Sequence, residues 1–371
     1  MKREEYNYWL ANINNIGVKK IEWLLSVFGC AEEIYRADKK ELMTALAVSY
    51  EGNGTKLREE EVESLIRSRD RVAIQEAYGK LIRSGIRFIT REEADYPEKL
   101  KNIYSAPFAL YRKGRPLEEG KKYLAVVGAR DCSPYGREMS RYLAGAIAKE
   151  GVVIISGLAR GIDSYAHQGA LEAGGISYGI LGCGIDICYP RENIKLYMEL
   201  MKEGGVISEY APGTPPIAGN FPLRNRIISG LSDGILVIEA REKSGSLITV
   251  DLGLDQGKDI YAVPGKASDR LSEGCNNLIK MGAKLVTTPK DILEELFPNY
   301  EQNLNEMKIN INVLESHEKI VYASLDFEPK HMEELHALTK LPMDILMEQL
   351  LLLELKGLVH QTMKNYYVLR K

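Results

Sequence analysis

Tyr123-Leu124-Ala125-Val126-Val127-Gly128-Ala129-Arg130 is the stretch on which the fold turns. Five residues apolar on both faces of an extended segment run into a glycine. A strand with one wet face alternates; an unbroken run reads as a strand covered on both sides. The pattern recurs at Val152–Ile155, Ser177–Leu181, Val206–Ser208, Ile235–Ile238, Ile260–Val263 and Lys284–Val286, with helical spacing in between. Strand and helix in alternation specify a doubly wound, Rossmann-like parallel sheet of the α/β class.

Outward from this block the period changes. Residues 1–85 are expected to form a helical domain. Apolar residues at helical spacing run from Tyr6 to Phe28, broken at Ile16-Gly17-Val18, with a further helix near Glu32 and a long charged helix from Lys56 to Arg83. The Rossmann-like domain is expected over 86–298, opening with a strand at Ile86–Ile89 and a Pro107-containing connection. A polar linker, 299–309, leads to a domain at 310–371 that reads as a winged helix. Its helices are Glu318–Leu325, Met332–Leu338 and Pro342–Leu355; its hairpin is Leu358–Gln361 and Tyr366–Leu369 around a Lys364-Asn365 turn. The third helix carries Asp344 and Glu348 where a groove reader needs cations, which points to protein contact instead of DNA reading.

With 371 residues, 45% of them hydrophobic, a sizeable core is available. A net charge of −3 confines any nucleic-acid site to a local patch. No stretch is long and apolar enough to span a bilayer, and the N-terminus lacks a signal-peptide pattern. Five scattered cysteines without a C-x-x-C fit a reducing cytoplasm, and the five histidines lie apart from them, so no metal site is expected.

Ligands of open α/β sheets sit beyond the carboxyl ends of the strands. Those ends carry Gly128-Ala129-Arg130, then Ser156-Gly157-Leu158-Ala159-Arg160-Gly161-Ile162-Asp163, Gly182-Cys183-Gly184, Phe221-Pro222-Leu223-Arg224-Asn225-Arg226, Ser244-Gly245-Ser246 and Pro264-Gly265-Lys266. Glycine lets backbone N–H groups approach an anion, helix N-termini add partial positive charge, and arginine offers a planar fork for phosphate. Arg130, Arg160, Arg224, Arg226 and Lys266 are expected to converge there. So many cations suit several phosphates in a row, with Phe221 as a stacking platform. Asp163 is expected to cap its helix or orient Arg160, Glu239 to pair with a neighbouring arginine, and His167 to make a local hydrogen bond. Arg224→Glu is expected to weaken binding without unfolding the domain.

Other chemistries fit less well. Arg130 and Ser133 stand where a dinucleotide fingerprint needs its second and third glycines, and no phosphate-binding G-x-x-x-x-G-K-[ST] loop occurs, so no cofactor is expected. No nucleophile lies near a suitable base. A nucleotide or phosphoribosyl hydrolase using Glu239 or Asp163 is the alternative, but the P-G-G-x-G-T run of such enzymes is absent.

The strand-end motifs resemble those of the bacterial DNA-processing protein A (DprA/Smf) family. Further matching segments are Leu181-Gly182-Cys183-Gly184-Ile185-Asp186, Tyr189-Pro190, Ser208-Glu209-Tyr210, Ser244-Gly245-Ser246-Leu247-Ile248-Thr249, Ala262-Val263-Pro264-Gly265 and Asn276-Asn277-Leu278-Ile279. The resemblance implies a cytoplasmic, non-catalytic protein that binds single-stranded DNA, dimerises through its Rossmann domain and delivers the strand to the RecA recombinase in natural transformation. It places Gly128, Ala129 and Arg130 at a phosphate-binding turn, and Phe221, Arg224, Asn225 and Arg226 in a DNA-binding pocket. Gly157, Gly161, Ser244, Gly245, Ser246 and Asn276 fall in its motifs, and Arg160 and Lys266 join them by position on the sheet edge. Ile13 to Phe28 resembles a helix-hairpin-helix or sterile-alpha-motif-like unit, with Lys19 where the second hairpin glycine would stand.

Overall fold

The computed structural model describes residues 1–45, 57–297 and 314–369. Six helices open the chain: α1 (Arg3–Ala11), α2 (Val18–Phe28), α3 (Ala31–Arg36), α4 (Lys39–Ala45), α5 (Glu59–Arg67) and α6 (Arg71–Arg83). The single long helix expected from Lys56 to Arg83 is two, and Lys56 lies outside the described residues. The break falls at Asp70, whose carboxylate accepts from the N–H groups of Val72 and Ala73 and so starts a new helix.

The sheet follows, with β1 (Arg87–Thr90), α7 (Glu98–Lys101), β2 (Ala109–Gly114), β3 (Tyr123–Val127), α8 (Pro134–Lys149), β4 (Val153–Ser156), α9 (Ile162–Glu172), β5 (Ser177–Leu181), α10 (Ile194–Glu203) and β6 (Gly205–Ser208). It continues through α11 (Asn220–Leu231), β7 (Gly234–Val237), α12 (Gly245–Asp255), β8 (Asp259–Ala262), α13 (Glu273–Lys280), β9 (Lys284–Leu285) and α14 (Lys290–Leu296). The nine strands lie in the order β1-β2-β6-β5-β4-β3-β7-β8-β9. From β6 to β9 all pairs are parallel; β1 and β2 add an antiparallel edge. Strand β2, read from sequence as part of a connection after Pro107, pairs Tyr111–Gly114 with Ser208–Gly205.

Successive residues of β3 serve opposite faces, as strand geometry requires. Leu124 and Val126 meet α8, α9 and α14, while Tyr123, Ala125 and Val127 meet α7, α11, α12 and α13. The chain moves outward from β3 through β4, β5 and β6, then returns to pair β7 with the other side of β3. That reversal opens a crevice at the strand ends. The N-terminal helices share one apolar cluster with Phe88 and Tyr111 of the antiparallel edge and with Tyr197 of α10.

The final segment is a winged helix. Helices α15 (Ser316–Ala323), α16 (Met332–Thr339) and α17 (Met343–Leu355) pack with a sheet of β10 (Lys330–His331), β12 (Tyr366–Leu369) and β11 (Val359–Met363). Asn365 takes the hairpin turn at φ 65°. The polar linker expected from Asn299 lies outside the described residues. No helix among the described residues is long and apolar enough to cross a membrane.

Candidate nucleic-acid interface

At the carboxyl ends of β3 and β7 lies a cleft of about 600 Å³. Its floor is the Gly128-Ala129-Arg130 turn, held from both sides. The Ala129 N–H donates to Glu239 O at 2.8 Å, and the Ala129 carbonyl accepts from Ile162 N at 3.1 Å. Gly161, the N-cap of α9 at φ 73°, is obligatory here, because a Cβ would sit 2.3 Å from Ala129 O. With its backbone fixed, the turn projects an exposed Arg130 into the cleft.

One wall is α11. Phe221, Arg224, Asn225 and Ile228 follow the i, i+3, i+4, i+7 rule of a single helical face, and all four line the cleft. The Phe221 ring rests on Gly182, where a Cβ would lie 2.7 Å from Cδ1. Arg130 stands 5.7 Å from the ring centroid and Tyr189 packs against it at 5.5 Å and 32°. The opposite wall is the start of α12. Ser244 caps that helix by accepting from Ser246 N, and no acid occupies its first turn. Its N–H groups and dipole favour an anion, flanked by the exposed cations Arg241 and Lys243. Arg241 and Lys243 were not singled out from sequence, although the strand-end rule that found Ser244 applies to both; Tyr189 was noted only in the matching segment Tyr189-Pro190.

Arg224 reaches the cleft as a buried group, 4% exposed. Its Nη1 donates to Gly157 O at 2.8 Å and to Ile180 O, while Nε is left without a partner. Burial pulls its pKa down to about 10, so it stays charged at neutral pH. Asp163 is its counter-charge, across Gly157: a Cβ there would lie 2.7 Å from both Arg224 Nη2 and Asp163 Oδ2. The carboxylate accepts from Gly157 N at 3.1 Å and Ala159 N at 3.4 Å. Burial raises the Asp163 pKa; the guanidinium and the N–H donors oppose that. Asp163 therefore serves Arg224 and a loop, not Arg160, and Gly157 is a spacer between two charges. Arg224→Glu would set a second carboxylate against Asp163 in this buried site, so its expected neutrality for the fold does not hold.

Four other expected site residues lie away from the cleft. Arg226, two positions past Arg224, points to another side of α11, where it forks onto Glu209 at 2.7 and 2.8 Å. Arg160 pairs with Glu192 at 3.1 Å. Lys266 pairs with Glu328 of the winged helix at 2.7 Å. Asn276 brackets Gly265, accepting from its N–H at 3.2 Å and donating to its carbonyl at 3.0 Å. The five cations thus do not converge; Arg130 and Arg224 line the cleft. Glu239, expected to pair with an arginine, instead caps α8, accepting from Ser133 N at 2.8 Å and from its hydroxyl. His167 hydrogen-bonds Ser177 Oγ through Nδ1 at 2.7 Å.

Comparison with known proteins agrees with the resemblance. The family described as DNA recombination-mediator protein A matches residues 87–297, and the DprA winged helix domain matches 311–362. DNA processing protein DprA of Streptococcus pneumoniae is 44% identical over 200 residues, covering 54% of this chain and 71% of the relative. Protein Smf of Synechocystis sp. is 31% identical over 400 residues, covering 97% and 98%. The solved structure of the S. pneumoniae protein superposes with a TM-score of 0.68 at 33% identity, covering 80% of this chain and 99% of that one. DNA processing protein A of Helicobacter pylori, described for a unique single-stranded DNA binding mode, gives 0.52 at 29% identity over 58% and 98%.

Proposed function

This chain belongs to the DNA recombination-mediator protein A family, and from that premise we propose that it binds single-stranded DNA in the strand-end cleft, without catalysis. The observation that carries this is the pairing of an exposed cation with an aromatic ring, Arg130 over Phe221, opposite a helix start with no acid in its first turn. A single strand offers bases to the ring and phosphates to Arg130, Arg241, Lys243 and the α12 N–H groups. Arg224 tunes the wall from behind. A duplex hides its base faces and cannot use the ring.

The bound strand is shielded and handed to the RecA recombinase during natural transformation, in keeping with the family. The protein acts as a homodimer. Support for that comes from Leu254, Met281 and Leu285, which leave 53%, 78% and 45% of their surface exposed near the β9 edge of the sheet. The hydrolase alternative needs a free acid, yet Asp163 and Glu239 are both engaged in holding the turns. The test is binding of labelled oligo-dT and of a duplex of equal length across a salt series. Binding of the single strand that weakens log-linearly with salt supports the reading; equal affinity for duplex overturns it.

A further inference from the structure

The segment between α7 and β2 is gripped at three consecutive carbonyls. Ser105 O accepts from Arg226 Nε at 2.9 Å, Ala106 O from Arg91 Nη2 at 2.5 Å, and Pro107 O from Tyr96 Oη at 2.7 Å. The donors are themselves held. Arg226 forks onto Glu209, and Arg91 pairs with Glu22 of α2 at 2.8 Å. Ser105 takes the left-handed conformation at φ 55°. A loop fixed this firmly nonetheless leaves Tyr104 with 75% of its surface in solvent. Lys19 of α2 donates from Nζ to Tyr104 Oη at 2.5 Å, and lies 4.7 Å from the ring centroid. The ammonium is thus nearer the hydroxyl than the ring centre.

Arg226 also ties this loop to the cleft. Its Nη1 donates to Leu223 O at 3.1 Å, two residues beyond Phe221, and Leu223 is 60% exposed. One side chain, Arg226, thus holds both the Tyr104 loop and the end of α11 that carries Phe221 and Leu223. A rigid, solvent-facing aromatic with a cation at its rim is what a nucleotide unit recognises: a base stacks on the ring and a phosphate meets the ammonium. Little ordering entropy is lost on binding, because the loop is already fixed.

We propose that Tyr104 and Lys19 are a second station for the same single strand, with Arg226 as the positioning residue that presents it. This rests on the reading of the cleft as the first station. It is tested with the full-length protein, by fluorescence anisotropy on oligo-dT of about four and of about 20 nucleotides, bracketing typical site sizes. Tyr104→Ala and Lys19→Glu are each expected to lower affinity for the long oligonucleotide roughly tenfold and to leave the short one unchanged. Tyr104→Phe should retain the stack and bind as the parent does. Unchanged long-oligonucleotide affinity in both variants overturns the second station alone, as does an equal fall for both lengths. Failure of the parent protein to bind either oligonucleotide overturns the cleft assignment and the station with it.

Discussion

Arg224 and Arg226 show how two residues apart on one helix come to have different work. Arg224 faces the cleft but is buried against Gly157 and Ile180, with Asp163 as its counter-charge. Removing one member of a buried charge pair strands the other, at a cost of about 3–5 kcal/mol. Arg224→Ala should therefore lower the urea midpoint strongly, while Arg130→Glu, on an exposed side chain, should leave it near the parent value. His167 provides a second stability test. Burial lowers its pKa from 6.5 to about 3, and the Ser177 hydroxyl, which donates to Ile154 O, accepts the hydrogen bond from Nδ1–H. The unfolded chain binds a proton below about pH 6.5 that the fold refuses. Stability should thus fall as pH drops from about 6.5 toward 3, by up to ~1.4 kcal/mol per pH unit from this group. Urea melts at pH 7 and pH 5 measure it, and His167→Asn should flatten that limb. The residue types around the cleft were legible in sequence; the partners of Arg160, Arg226, Glu239 and Lys266 were not, because Glu192, Glu209, Ser133 and Glu328 reach them through tertiary packing.

At the scale of elements, most strands follow from apolar runs alone, whereas the order in which they pair, with its reversal at β3, is set by tertiary packing. Strand β2 escaped because Pro107 stands next to it and its pairing partner, β6, lies about ninety residues on. The charged stretch before Arg83 hid a helix start, since Asp70 reads as one more surface acid until its N-cap bonds are seen. The spacing of Phe221, Arg224, Asn225 and Ile228 was in the sequence, and a helical wheel would have turned Arg226 away from the cleft. Close contact explains Gly161 better than ligand approach does: its φ of 73° and the backbone 2.3 Å from a Cβ leave room for nothing larger. Gly161→Ala should cost on the order of 1–3 kcal/mol and lower oligo-dT affinity, because the Arg130 turn must move. Thermal melts and anisotropy on the same sample check both effects.

The whole molecule gathers three kinds of surface around one sheet. The strand-end cleft is cationic and aromatic. The β9 edge exposes Leu254, Met281 and Leu285; for the homodimer proposed above, the expected outcome is that the parent scatters light as a dimer and Met281→Asp as a monomer. The winged helix turns Met347, Leu351 and Leu355 outward beside Asp344 and Glu348, a face that repels phosphate and suits a protein. A net charge of −3 is compatible with DNA binding because a local group of cations, Arg130, Arg224, Arg241 and Lys243, lines the cleft. Led by Arg130 and Phe221, this cleft is the proposed seat of the single strand. The most direct measurement is oligo-dT affinity of Arg130→Glu against the parent at matched salt, with melting curves in parallel. A fall of tenfold or more with unchanged melting is the predicted result; parent-like affinity in the folded variant would contradict it.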